Sequence, residues 1–248
     1  MNRTIRYEAR GAVGWLWLSR PEKHNAQNEQ LAGEIVTLLD ELAEENAIRA
    51  LVVIGEGPSF SSGLDLDESP CGFPGEHVER LAALPIPTLA AIRGYALGGG
   101  LELALACDIR IGTEGCTLGL PEVRYGLIPS WGGTQRLARL VGPGFASELI
   151  FTGEPIDAVR AAAAGLLNRV VAEEGLEPAA SALAEAMAQQ APIAARYAKE
   201  AIQRGLELPL IHALELEGDL YVLLESTADR SEGIAAFREK RPPRWQNA

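Results

Sequence analysis

The sequence predicts an α/β protein, because strands and helices alternate through its first two thirds and helix alone fills the remainder. Two observations carry this. Short apolar runs bounded by glycine or proline recur at residues 12–18, 50–54 and 88–92, each separated from the next by residues at helical spacing. From about Asp157 the apolar period is helical throughout, including an alanine-rich run and a long segment at 206–224.

Taken in order, Val13-Gly-Trp-Leu-Trp-Leu18 is a β-rich strand, and Arg20-Pro-Glu-Lys-His-Asn25 turns the chain. Leu31, Ile35, Leu38, Leu39 and Leu42 place one apolar stripe on a helix over 27–45. A buried strand at 50–54 ends in the turn Gly55-Glu-Gly-Pro58, followed by a loop over 59–67 and a helix over 76–84. The strand at 88–92 leads through Gly94 to a glycine triplet and an apolar helix. Short strands are expected at 108–111 and 117–118, and short helices at 132–140 and 145–151. The chain divides into a core, 1–190, and a helical region, 191–248. The apolar faces of that last region are too many to cover one another, so they cover the core or a neighbouring subunit.

The 248 residues, 47% apolar and 23% charged, belong to a folded chain rather than a disordered one. A net charge of −12 excludes a general nucleic-acid or anionic-membrane binder, since both need a cationic face. Cys71, Cys107 and Cys116 are an odd number without metal-ligand spacing. The hydrophobic stretch 81–107 is broken by Pro85, Pro87, Arg93, the triplet and Glu102 into pieces too short to span a bilayer. No apolar run follows the charges of Asn2-Arg-Thr-Ile-Arg6, so no signal peptide, no membrane association and a cytoplasmic location are expected.

The chemistry concentrates in Ala96-Leu-Gly-Gly-Gly-Leu-Glu-Leu-Ala-Leu-Ala-Cys-Asp108 and Leu120-Pro-Glu-Val-Arg124. Glycines 98–100 permit close approach of a ligand to the backbone, and the helix they open presents unpaired N–H groups and a positive dipole end. Glu102 stands in the first turn of that helix and Glu122 twenty residues later, material for acid–base chemistry beside an oxyanion site. In isolation Glu102 also reads as a salt-bridged core residue and Glu122 as a surface glutamate. Ser62 lacks a histidine partner, since His24, His77 and His212 are scattered, and a serine-hydrolase reading fails on that ground.

Phe60-Ser-Ser-Gly-Leu-Asp-Leu66, Gly94 to Asp108, Leu120-Pro-Glu-Val123, Gly126-Leu-Ile-Pro129 and Gly132-Gly-Thr-Gln-Arg-Leu137 together resemble the crotonase (enoyl-CoA hydratase/isomerase) superfamily. Thr152-Gly-Glu-Pro-Ile156, Gly165-Leu-Leu-Asn-Arg-Val-Val171 and Phe237-Arg-Glu-Lys240 extend the match, in order, over nearly the whole chain. The resemblance implies a crotonase-like spiral of ββα repeats with a C-terminal helical trimerisation region, giving a trimer or a dimer of trimers. It implies an acyl-CoA thioester as substrate, no separate cofactor and no metal. The backbone N–H groups of Leu64 and Gly99 would form the oxyanion hole. Superfamily hydratases carry both carboxylates, here Glu102 and Glu122, whereas isomerases typically keep the second alone. The pair therefore implies hydration of a trans-2-enoyl-CoA, a lyase reaction of fatty acid metabolism, with Glu102 activating water and Glu122 donating the proton. An enoyl-CoA isomerase, or another enolate-stabilising acyl-CoA enzyme, is the alternative, and an RNA-binding or non-catalytic homologue a distant one. Carried onto this chain, Lys23, His24, Ser62, Gly63, Asp65, Leu66 and Gly98 are candidate CoA or substrate contacts, with Phe237 and Lys240 reaching a neighbouring subunit's adenine and phosphate. On composition alone Lys23 and His24 are solvated. Trp131 stands where glycine or alanine is more usual, and reads either as a wall of the acyl pocket or as a core residue.

Overall fold

A computed structural model describes residues 3–69 and 72–248; Cys71 lies outside the described residues. The chain runs β1 (Ile5–Arg10), β2 (Val13–Leu18), α1 (Glu29–Glu44), β3 (Ala50–Gly55), α2 (Glu76–Ala83), β4 (Thr88–Ile92), β5 (Tyr95–Leu97) and α3 (Gly99–Ala106). It continues through β6 (Ile109–Thr113), β7 (Thr117–Gly119), α4 (Gly133–Val141), α5 (Pro143–Thr152), β8 (Ile156–Asp157), α6 (Ala158–Ala163) and β9 (Arg169–Val171). The helices α7 (Leu176–Ala188), α8 (Pro192–Gly205), α9 (Leu210–Leu224) and α10 (Ala228–Glu239) complete it.

Six strands form a sheet in the order β1-β2-β3-β4-β6-β9, antiparallel only at the β1–β2 hairpin, and β5, β7 and β8 form a second, smaller sheet. The strands β2, β3 and β4 are buried throughout, as a parallel sheet covered on both faces requires. Alternate residues point opposite ways. Leu51 and Val53 of β3 pack with the stripe Leu31, Ile35, Leu38 and Leu39 of α1, while Ala50, Val52 and Ile54 pack with Leu176, Ala180 and Ala184 of α7. The helix α1 begins at Glu29 because Asn28 caps it, its side chain accepting the Leu31 N–H at 2.9 Å.

The winding is a spiral. The chain passes from β4 in the large sheet to β5 in the small one, then to α3, and repeats the step from β6 to β7. Earlier turns contribute single rungs to the small sheet, Gln27 pairing with Leu64 and Ser61 with Ala96. The expected α/β class and ββα spiral are both present.

Four strands differ from the sequence reading: the N-terminal β1, the three-residue β5, the two-residue β8, and β9, which interrupts the expected all-helical stretch beyond Asp157. A three-residue strand is too short to display a period of two, and β9 exists because it pairs with the edge of β6. Among the described residues no helix is long and apolar enough to cross a membrane.

A buried cation helps to fasten the last helices to the core. Lys199 of α8 is buried, and its Nζ donates to the Asp108 carboxylate at 2.8 Å and to the Ile86 carbonyl at 2.9 Å. Asp108 in turn accepts from the N–H and hydroxyl of Thr88. Replacing Lys199 by Ala takes the cation from a partly buried carboxylate and the donor from the Ile86 carbonyl, so unfolding in urea is expected to report a loss of about 1.5–3 kcal/mol. An unchanged midpoint would show that the Lys199 contacts do not hold α8 to the core.

Candidate active site

The rungs of the small sheet build the site. The Gln27 N–H donates to the Gly63 carbonyl at 2.7 Å and the Asp65 N–H to the Gln27 carbonyl at 2.8 Å, bracketing Leu64 and turning its own N–H to the opposite side. Gly63 has φ +97°, and a Cβ there would lie 2.6 Å from the Leu97 carbonyl oxygen and 3.2 Å from the Gly99 nitrogen. Only glycine lets this loop approach the triplet so closely. Gly98, at φ +52°, caps α3 and leaves the Gly99 N–H in the first turn, where no intrahelical acceptor exists. The Leu64 and Gly99 N–H groups have no acceptor among the described residues, and both residues line one cavity of about 390 Å³.

Both expected carboxylates line that same cavity. Glu102, 2% exposed, projects from the first turn of α3. Its Oε1 accepts the N–H of Trp131 and the N–H of Gly133, each at 2.7 Å. Burial raises its pKa above the usual carboxylate range, opposed by those amide bonds and by the nearby Arg136. Glu122 opens a 3-10 turn, Glu122–Tyr125, and its Oε2 is buried without a hydrogen-bond partner among the described residues. Burial, assisted by the charge of Glu102, pushes its pKa up to about 7. Burial raises both carboxylates, but they are unequal: Glu102 has fixed amide donors that oppose the rise, whereas Glu122 is pushed up to about 7.

Trp131 lies in the core and on the cavity lining at once. It is 5% exposed within the main core, its Nε1 donates to the Phe73 carbonyl at 3.0 Å, and its ring lies edge-on to His77 at 4.9 Å. The same indole lines the cavity beside the two glutamates, its six-membered ring so close to Gly99 that a Cβ there would sit 2.2 Å from Cζ3. The glycine at 99 and the tryptophan at 131 are sterically matched.

A second cavity of about 540 Å³ shares Leu64, Gly99, Glu122 and Leu127 with the first and extends along Lys23, His24, Ser62, Asp65, Leu66 and Gly98. The expected contact residues thus converge, with Gly63 supporting them from behind. Lys23 is not a free cation: its Nζ meets Asp65 at 3.0 Å and Glu68 at 2.7 Å, and Arg20 pairs with the same two carboxylates. Asp65 is buried and consumed by this network and by the N–H groups of Asp67 and Glu68, so it shapes the loop and presents no free carboxylate to a ligand. Burial opposes its ionisation, but Lys23, the Glu68 amide and Arg20 hold its pKa below the ordinary value. Phe237 and Lys240, at the end of α10, line neither cavity of this chain, and Phe237 is 85% exposed. Burial pushes the thiols of Cys107 and Cys116 up to about 12, leaving them inert. Tyr95, Tyr125, Leu127 and Ile128 are exposed wall residues that the sequence reading does not single out as site residues, since nothing in their spacing separates a cavity rim from an ordinary surface turn.

Comparison with known proteins agrees with this geometry. The family model for enoyl-CoA hydratase/isomerase matches residues 8–248. The chain belongs to the enoyl-CoA hydratase/isomerase family. It is similar to an enoyl-CoA hydratase from Bacillus anthracis, with a TM-score of 0.95, 40% identity, and coverage of 99% of this chain and 100% of that one. An enoyl-CoA hydratase from Mycobacterium tuberculosis superposes with a TM-score of 0.95 at 30% identity over the whole of both chains. The bovine mitochondrial enoyl-CoA hydratase domain-containing protein 2 is 43% identical over 94% of this chain and 84% of its own length. The crotonase fold expected from the motifs is thereby established, as is membership of an acyl-CoA-binding family.

The double burial of Trp131 has a measurable consequence within this family fold. Replacing it by Ala opens a cavity and removes the packing behind Gly99, with an expected loss of about 3–5 kcal/mol in denaturant unfolding. A loss below about 1 kcal/mol, the size of a surface change, would place the indole outside the core.

Proposed function

We propose that this chain hydrates trans-2-enoyl-CoA thioesters to 3-hydroxyacyl-CoA thioesters. The observation that carries the reading is the convergence of two unequal carboxylates, Glu102 and Glu122, on a cavity also lined by two backbone amides without acceptors. In this reading the Leu64 and Gly99 N–H groups donate to the thioester oxygen and stabilise the enolate charge that develops as water adds at C3. Interactions of this kind act only where the charge appears, and one such donor is worth about 3–4 kcal/mol of barrier. Glu102, anchored through Oε1 by two amides, takes a proton from the water through its other oxygen. Glu122, with a pKa raised to about 7, supplies the proton to C2 from its protonated form. The water oxygen ends on C3, its two protons are accounted for by Glu102 and the product hydroxyl, and return of a proton from Glu102 to Glu122 resets the pair. The larger cavity accommodates the pantetheine arm, and the smaller, walled by Trp131, Leu127 and Ile128, takes the acyl chain.

The reading extends to assembly. The exposed apolar side chains Ile202, Leu206, Leu210, Ile211, Val222 and Leu223 on and around α8 and α9 are more than a lone chain leaves in water. We propose that copies of this chain associate through the C-terminal helices as a trimer or a dimer of trimers, bringing Phe237 and Lys240 toward a neighbour's ligand. Light scattering at micromolar concentration should give a mass of three or six chains, and a stable monomer would overturn this arrangement.

Glu102→Gln and Glu122→Gln are each expected to lower kcat for crotonyl-CoA hydration by about 10²–10⁴-fold with little change in ligand affinity. Near-parental turnover in either variant refutes the two-carboxylate mechanism. Offering a 3-enoyl-CoA in parallel separates hydration from isomerisation, because faster conversion of that ester would assign the isomerase reaction instead.

The pH profile follows from Glu122. Its donor form is the protonated one, and with a pKa of about 7 that form is lost as pH rises through neutrality, so kcat/KM should fall on the alkaline side. A profile flat from pH 6 to 9 would remove Glu122 as proton donor.

A further inference from the structure

Behind the loop that carries Leu64 lies a buried polar chain that the mechanism above does not use: His77, Gln27 and Ser61, all less than 1% exposed. The Ser61 hydroxyl lies 2.8 Å from the Asn25 carbonyl, which can only accept, so its single proton goes there. Ser61 Oγ must therefore accept from its other neighbours, the Gln27 side-chain amide and the Gly63 N–H, each at 3.2 Å. That orients Gln27 with Nε2 toward Ser61 and Oε1 toward His77, whose Nε2 lies 2.8 Å away and must carry the hydrogen. The remaining nitrogen of His77, Nδ1, is buried without a partner among the described residues. One hydroxyl proton thus determines every donor and acceptor along the chain.

Gln27 bonds at both ends of its structure to the same loop. Its main chain brackets Leu64 through Gly63 and Asp65, while its side chain grips Ser61, which holds the Gly63 N–H. The Leu64 N–H can face the cavity only while the peptide groups on either side are kept facing Gln27. Burial lowers the His77 pKa to about 4, so the ring is neutral and cannot act as an acid near neutrality. Its own ring faces Trp131, whose main chain donates to Glu102, so His77 touches the supports of both halves of the site.

We propose that His77, Gln27 and Ser61 are positioning residues that hold the Leu64 N–H in line for the thioester oxygen, so that carbonyl polarisation depends on a histidine that never meets the substrate. The proposal rests on the acyl-CoA reading of the cavity but is indifferent to whether the reaction is hydration or isomerisation.

The test uses the full-length protein, a chromophoric cinnamoyl-CoA thioester whose absorbance moves to the red as its carbonyl is polarised, and crotonyl-CoA turnover. Parental protein must shift the probe; if it does not, the acyl-CoA reading has failed and the relay is not at issue. His77→Phe keeps an aromatic ring against Trp131 while removing the donor to Gln27. Ser61→Ala leaves the Gln27 amide and the Gly63 N–H without an acceptor. Each variant is expected to shrink the red shift and to lower kcat roughly 10- to 100-fold, the scale of a catalytic group displaced by about 1 Å, with KM little changed. The double variant should lose little more than Ser61→Ala alone, because His77 acts on the loop through Gln27 and Ser61. A parental red shift in both variants overturns the proposal, even if kcat falls, since the loss would then travel through Trp131 and Glu102. Should His77→Phe fail to fold, Ser61→Ala alone decides by the same two readouts.

Discussion

One oxygen of Glu102 accepts the N–H groups of Trp131 and Gly133, residues 29 and 31 positions further along the chain. This pair of bonds joins the first turn of α3 to the start of α4 and determines where the Trp131 ring can lie. It also divides the labour of the two carboxylates. Burial raises the pKa of Glu102 and the two fixed amide donors oppose that rise, while the charge Glu102 carries when ionised helps to keep a proton on its neighbour Glu122. Arg136 reinforces the arrangement by donating to the Trp131 carbonyl at 2.7 Å.

The winding of the chain supplies the other half of the site. Successive turns of the spiral place Gln27, the loop at Ser61–Leu64, β5 and β7 side by side as adjacent rungs of the small sheet. The Ser61 N–H donates to the Tyr95 carbonyl and the Leu97 N–H to the Ser61 carbonyl, so the oxyanion loop and the glycine triplet are in register through their main chains. Backbone pairing of this kind is specified by the fold and not by side-chain identity at position 64. The loop is held from its far side by Arg20, Lys23, Asp65 and Glu68. Of these pairs, the buried one between Arg20 and Asp65 anchors the loop, while the exposed contacts to Glu68 add little.

Stability and function compete at these positions. Among the described residues, the Glu122 Oε2 and His77 Nδ1 have no partner and the Leu64 and Gly99 amides no acceptor, each unfavourable in a closed interior. They are tolerated because the shell around them is over-determined, with Trp131 packed against Gly75, Gly99, Phe73 and His77 at once.

By itself the sequence determined the features that are local. The runs forming β2, β3 and β4, the apolar stripe of α1, and the glycines and carboxylates at 63, 98–100, 102 and 122 were all legible, because each is expressed in a period, a turn residue or a motif of fixed spacing. Lys23 and Asp65 were legible as residues but not as partners in a closed ion network, and Trp131 was legible as an unusual side chain whose place in core and cavity together was not. The strands β5 and β9, the grip of Gln27 on Leu64 and the His77 contact 50 residues away were decided only by the tertiary structure. The physical reason is common to all of them. A three-residue strand has no intrinsic period, and a buried polar atom takes its partner from whichever turn of the spiral lies beside it, which is a property of the register and not of the neighbouring sequence.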